Sequence, residues 1–186
     1  MLKYIKNRSP NQMSKKQKYT LFILTAIIIG GFVFYFPNKN DQGQFSHLYF
    51  AYGSNMNTAQ MKERCGDDFV RIGPAMLSRY KFGFDERGYA NIKYQKGEFV
   101  WGLVLEITDL CVASLDKYEG YPNVYNRKDV VVASNGQNLN VFVYIEPEKD
   151  VTGNPKQDYL NDKIIVGAKE NGLPAEWIKK LEQYKK

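Results

Sequence analysis

Two short stretches of this chain hold residues that could do chemistry. The first is Phe50-Ala51-Tyr52-Gly53-Ser54-Asn55-Met56, where an apolar run from Leu48 ends in a glycine and two polar residues. Glycine adopts backbone angles that other residues avoid, so the chain can turn sharply at Gly53 and leave N–H groups near Gly53 and Ser54 facing outward. A helix start at Asn57 or Thr58 follows. A strand, a tight turn and a helix N-terminus together form a pocket for an anion or a polarised carbonyl. Ordinary turns use the same residue types.

The second stretch, Leu115-Asp116-Lys117-Tyr118-Glu119-Gly120-Tyr121-Pro122, places Glu119 in the last turn of a helix predicted over Thr108–Glu119. A helix C-terminus carries partial negative charge, which disfavours an ionised carboxylate. Shielding by Tyr118, Tyr121 or Tyr125 would raise its pKa further. A carboxylate tuned this way suits a general base or acid near neutral pH. A solvated helix-end glutamate is the plainer alternative. Tyr52, Tyr125 and Tyr159 are the tyrosines expected to touch a ligand. Glu146, Glu148 and Asp150 read as a solvent-facing charged loop, and Asp85-Glu86 as a turn.

The elements around these stretches follow from periodicity. Strands are expected over His47–Tyr52, Phe69–Leu77, Arg79–Phe84, Tyr89–Tyr94, Phe99–Ile107, Lys128–Ala133 and Leu139–Ile145, several of them alternating. Gly73-Pro74 predicts a bulge or bend, and Asn135-Gly136 a hairpin. Asn57 and Gln60 fit a capping box, with Gly66 as the stop. Further helices are expected over Lys156–Lys169 and from Pro174 onward. Many short strands with few helices argue for an α+β fold, a closed or half-closed mixed β-barrel-like sheet with flanking helices.

The 186 residues suffice for one domain plus an appendage. Residues Thr20 to Phe36 are uncharged and almost wholly apolar. As a helix at about 1.5 Å per residue they would be long enough, barely, to cross a bilayer. Lys3, Lys6, Arg8, Lys15, Lys16 and Lys18 precede them without one acid and account for the net charge of +6. The remainder is balanced, so the basic character does not point to nucleic acid. The expected organisation is a basic tail (1–19), a transmembrane anchor (20–36), a polar linker (37–46) and a folded domain (47–186). The positive-inside tendency puts the tail in the cytoplasm and the domain outside it, with the membrane as a partner. A cleaved signal peptide and a buried core helix fit the segment less well.

Two cysteines, Cys65 and Cys111, and a single histidine, His47, argue against a Cys/His zinc site. A serine triad would depend on His47 alone. The cysteines are either packed thiols or, in an exported domain, a disulfide.

Leu48-Tyr49-Phe50-Ala51-Tyr52-Gly53-Ser54-Asn55, Val100-Trp101-Gly102, Leu115-Asp116 through Glu119-Gly120, and Gly167-Ala168-Lys169-Glu170-Asn171-Gly172-Leu173-Pro174 resemble, in order and spacing, motifs of the γ-glutamylcyclotransferase-like (AIG2-like) family. The resemblance spans roughly His47 to Tyr184. It implies release of an amino acid or amine from a γ-glutamyl compound, with 5-oxoproline as the cyclic product. It implies Glu119 as the general acid/base, and Tyr49, Phe50, Ala51, Tyr52, Gly53, Ser54 and Tyr159 as substrate-binding residues. No cofactor or metal is implied, and the partner is a small γ-glutamyl substrate. The Tyr-Pro-Asn-Val-Tyr stretch after Glu119 looks more like relatives that include γ-glutamylamine cyclotransferases. A pocket without turnover on the same fold is the third reading.

Overall fold

The computed structural model describes residues 28–29, 32–33, 44–147 and 149–186. The chain divides into two units, Met1–Asp41 and Gln42–Lys186.

In the first unit, β1 (Ile28–Ile29) and β2 (Phe32–Val33) pair antiparallel, Ile28 with Val33 and Ile29 with Phe32. This corrects the expected anchor. Four residues of the apolar run are extended where a membrane span needs helix. Among the described residues no helix is long and apolar enough to cross a membrane. Ile and Val favour extended backbone, and a Gly-Gly pair between two apolar dipeptides weakens a continuous helix. Apolar composition alone does not distinguish the two outcomes. The single-pass anchoring, the membrane partner and the placement outside the cytoplasm all rested on that helix and fall with it. The rest of 20–36, the basic tail and most of the linker lie outside the described residues.

The second unit is built on a closed five-stranded barrel. Its strands are β3 (Phe45–Ala51), β4 (Phe69–Phe84), β5 (Ala90–Thr108), β6 (Asn126–Ser134) and β7 (Gln137–Ile145), in the order β3-β5-β4-β6-β7. All neighbours are antiparallel except β3 and β7, which close the barrel in parallel through Tyr49 and Phe142. The α+β barrel expected from the strand pattern is therefore present.

Strand lengths differ from the sequence reading. Two expected strands merge into β4, which runs through Arg79 at a positive φ of 67° with a register shift between Ser78 and Tyr80. Two more merge into β5, whose polar middle faces solvent; its pairing with β4 jumps from Phe99↔Ser78 to Tyr94↔Tyr80, with residues 95–98 outside the paired register. The break in composition coincides with this break in register, while the extended chain continues through it. A second shift between Arg71 and Gly73 sits where Gly73-Pro74 predicted one. Tyr80, Phe82 and Phe84 share the buried face of β4, as their alternation requires.

The helices start and stop at local signals. Asn57 caps α1 (Thr58–Cys65) by accepting the Gln60 N–H at 3.0 Å. Thr108 caps α2 (Asp109–Glu119) by accepting the Cys111 N–H at 3.2 Å, and Gly120 ends α2 in the left-handed region. The expected Lys156–Lys169 helix is instead π-helical over Tyr159–Ile165 and continues as α3 (Val166–Glu170). Then α4 (Ala175–Glu182) buries Trp177 and Leu181. Asn135 and Gly136, both at positive φ, form the β6–β7 turn.

Candidate active site

After β3 the chain bends through Gly53 into a 3-10 turn, Ser54–Met56. The chain turns at Gly53 as expected, but at a φ of −109° rather than at a positive φ. What the position requires is space. A Cβ at Gly53 would lie 3.3 Å from both the Ala90 Cβ and the Tyr159 hydroxyl. The missing side chain lets Tyr159, at the start of the π-helical segment, reach the backbone of the bend.

At the other wall, Glu119 is the last residue of α2 and is partly buried. Its Oε1 accepts from Asn55 Nδ2 at 3.1 Å and from Arg64 Nη1 at 3.1 Å. Asn55 also donates to the Tyr49 hydroxyl at 2.9 Å, and its Oδ1 accepts from Arg64 at 2.7 Å and from Gln60 at 3.2 Å. Gln60 and Arg64 are one turn apart on α1, so a single helix face grips Asn55 twice. The two chemical stretches of the sequence therefore meet through Asn55.

Between them lies a cavity of about 400 Å³. Tyr49, Tyr52, Gly53, Ser54, Glu119, Tyr125 and Tyr159 all line it, as do Asn55 and Arg64. Phe50 and Ala51 are completely buried and do not line it. Alternation alone would group Tyr49 with Ala51, but the strand ends at Ala51, and Tyr52 just beyond it also lines the cavity. The mouth carries Arg87, Tyr89, Lys117 and Tyr118.

Burial sets the electrostatics. It pushes the Glu119 carboxyl above the usual glutamate range, while the Arg64 charge and the Asn55 and Arg64 hydrogen bonds pull it part of the way back. Burial also raises Tyr49, Tyr52, Tyr125 and Tyr159, so these hydroxyls stay protonated at neutral pH. The Tyr52 hydroxyl donates to the Tyr144 carbonyl at 2.8 Å, and that of Tyr125 to the Ala90 carbonyl at 3.2 Å. Those two protons are engaged in holding the wall. The leading cause at Glu119 is thus desolvation, the shielding that the sequence argument added to the effect of the helix end.

A cavity walled largely by protonated tyrosines, with one partly dry carboxylate, suits movement of a proton on a small molecule. The family comparison points the same way. The model of the γ-glutamyl cyclotransferase, AIG2-like family matches residues 49–161. The γ-glutamylcyclotransferase of Bos taurus is 33% identical over 148 residues, covering 73% of this chain and 77% of that protein. This chain belongs to the γ-glutamyl cyclotransferase, AIG2-like family. The Homo sapiens γ-glutamylcyclotransferase is likewise 33% identical, over 149 residues, covering 74% and 78% of the two chains. A solved γ-glutamyl cyclotransferase structure matches with a TM-score of 0.67 at 31% identity, over 73% of this chain and 86% of that one.

In this family member several cavity residues escaped the sequence reading. Asn55 lay inside the quoted motif but was given no role. Arg64, Arg87, Tyr89, Ala90 and Tyr144 offered no local signal. Only the i, i+4 spacing of Gln60 and Arg64 hinted at a shared polar face. His47, the sole histidine, does not line the cavity and instead pairs with Asp109 at 2.5 Å. The cysteine question is settled by a Cys65–Cys111 disulfide. Glu146 is buried rather than solvent-facing: its carboxylate bonds Arg87, and its backbone N–H donates to Asn91 Oδ1 at 3.1 Å. Glu148 lies outside the described residues.

Proposed function

We propose that this chain is a γ-glutamylcyclotransferase. It converts a γ-glutamyl amino acid or amine to 5-oxoproline and releases the free amine, with Glu119 carrying the proton. The substrate's α-nitrogen attacks its own γ-carbonyl carbon. One C–N bond forms to close the five-membered ring, and the amide C–N bond to the leaving group breaks. Glu119 takes a proton from the attacking amine and returns it to the departing nitrogen, so no net proton is consumed. N–H groups at the Tyr52–Ser54 bend would bind the glutamyl carboxylate or the developing oxyanion. Because both reacting groups belong to one molecule, holding the glutamyl chain folded supplies much of the rate.

The observation that carries this reading is the shared cavity: Glu119, the bend after β3 and Tyr159 face one space of about 400 Å³. The test is a product assay. 5-Oxoproline should form from γ-glutamyl dipeptides and vanish with Glu119→Gln while the protein stays folded. A panel of γ-glutamyl amines run beside the dipeptides assigns the leaving group. Ligand binding without cyclic product at any pH would leave only a binding module.

A further inference from the structure

We propose that Arg64 is a positioning residue: it keeps the Glu119 carboxylate charged and aimed into the cavity before the substrate amine is deprotonated. The proposal rests on Glu119 acting as the proton carrier. A carboxylate that is desolvated and unpaired takes up a proton and arrives at the reaction as an acid, with no capacity to accept the amine's proton.

The geometry gives Arg64 that task. Its Nη1 reaches Glu119 Oε1 at 3.1 Å and Asn55 Oδ1 at 2.7 Å, so one nitrogen holds both the carboxylate and the amide that also donates to it. The guanidinium lies 4.8 Å from the ring centroid of Tyr118, which confines it from the side. Both side chains of the pair are less than one-fifth exposed, so solvent screens the interaction weakly.

The backbone at Arg64 is fixed independently of its side chain. Its carbonyl accepts the Ser114 hydroxyl at 2.6 Å, and its neighbour Cys65 is bonded to Cys111. Ser114 and Cys111 both belong to α2, the helix that ends in Glu119. Arg64 and Glu119 are thus mounted on two helices clamped to each other.

The other groups around the carboxylate do not replace it. Tyr49 on β3, Tyr52 just after it, Tyr125 after α2, Tyr144 on β7 and Tyr159 on the π-helical segment bring hydroxyls but no charge. Tyr118, beside Glu119, also brings a hydroxyl. Lys117, on α2 itself, and Arg87 line the cavity, yet neither is paired with Glu119 among the described ion pairs. Arg87 is engaged by Asp85 and Glu146.

The experiment is the pH dependence of kcat/KM for 5-oxoproline formation in the wild-type protein and in Arg64→Met, Arg64→Lys and Glu119→Gln. In Arg64→Met the acid limb should move up by about one pH unit, a roughly tenfold loss below the limb that recovers as pH rises. Arg64→Lys should restore most of that shift. An unmoved limb in Arg64→Met overturns the proposal, including the case where only KM rises. Should Arg64→Met fail to fold, the Glu119 carboxyl titrated by carbon-13 NMR in Arg64→Lys and Arg64→Gln decides it. Equal titration of both variants with the wild type overturns it. If Glu119→Gln keeps full activity, the carrier assignment itself fails, an outcome separate from any result at Arg64.

Discussion

Cys65 and Cys111 are joined by a disulfide that ties the last residue of α1 to the first turn of α2, with Cα atoms 4.9 Å apart and a sequence separation of 46. The bridge closes a loop that includes β4 and β5. In the chain-entropy account, a loop of this length removes enough freedom from the unfolded chain to stabilise the fold by about 4 kcal/mol. Cys65→Ser with Cys111→Ser should lower the free energy of unfolding by that order. Urea unfolding of the oxidised and double-mutant proteins measures it. Coincident curves would show that the bridge contributes nothing.

The proposed role of Glu119 sets an expected pH profile of activity. Burial raises its carboxyl above the usual glutamate range. A base works only when ionised, so activity is expected to fall as pH drops through that raised pKa, at a higher pH than a solvated glutamate would give. Glu119→Gln should lower kcat by about 10²–10⁴-fold above the acid limb and abolish the limb itself, so the deficit shrinks at lower pH. Stopped assays of 5-oxoproline across pH 4 to 9, a range chosen to bracket the limb at roughly the carboxylate end of the scale, check both points.

Gly53 tests the shape of the bend. A methyl group there would press on the Tyr159 hydroxyl and the Ala90 Cβ, each 3.3 Å from its position. Gly53→Ala should push Tyr159 off the bend and cost about tenfold in kcat/KM, since small displacements of positioning groups are expensive. Gly53→Ala combined with Tyr159→Phe relieves part of the crowding and should lose less than the two single effects added together.

The network beside the cavity mouth is a stability determinant. Arg87 bonds Asp85 at 2.6 Å and also the Glu146 carboxylate, and both acids are buried. Burial alone would raise Asp85. The Tyr89 N–H and Arg87 more than offset it and hold Asp85 below the usual carboxylate range. A depressed native pKa stabilises the fold above the unfolded-state value and is lost as pH falls through the native one. Arg87→Met leaves two buried carboxylates facing each other. It should destabilise by about 2 kcal/mol at neutral pH, discounted because Arg87 is itself nearly half exposed. The deficit should shrink on acidification, as a shared proton replaces the missing cation. Thermal melts at neutral and mildly acidic pH provide the comparison, and a deficit independent of pH would argue against the carboxylate explanation.

Asp116 is a fifth point of test. Its Oδ1 accepts the Tyr144 hydroxyl at 2.6 Å, and its Oδ2 meets Arg127 at 3.1 Å. Asp116→Ala strands both partners and should cost about 1–3 kcal/mol. Because Tyr144 also lines the cavity, substrate affinity should weaken alongside stability.

The sequence by itself determined what depends on a few neighbouring residues. Asn57 and Thr108 cap helices by bonds that span three residues. Gly120 stops α2, Asn135-Gly136 turns β6 into β7, and the alternation of Tyr80, Phe82 and Phe84 fixes which face of β4 is buried. The motif order pointed to the family before any fold was in view. Tertiary structure decided what depends on residues far apart in the chain. Arg64 meets Glu119 across 55 positions and Asn55 meets it across 64, because barrel closure and the α1–α2 clamp bring them together. No local preference encodes those meetings. The apolar N-terminal run failed as a sequence signal for a related reason: hydrophobicity records a segment's aversion to water, and the same residues can satisfy it in helical or in extended backbone.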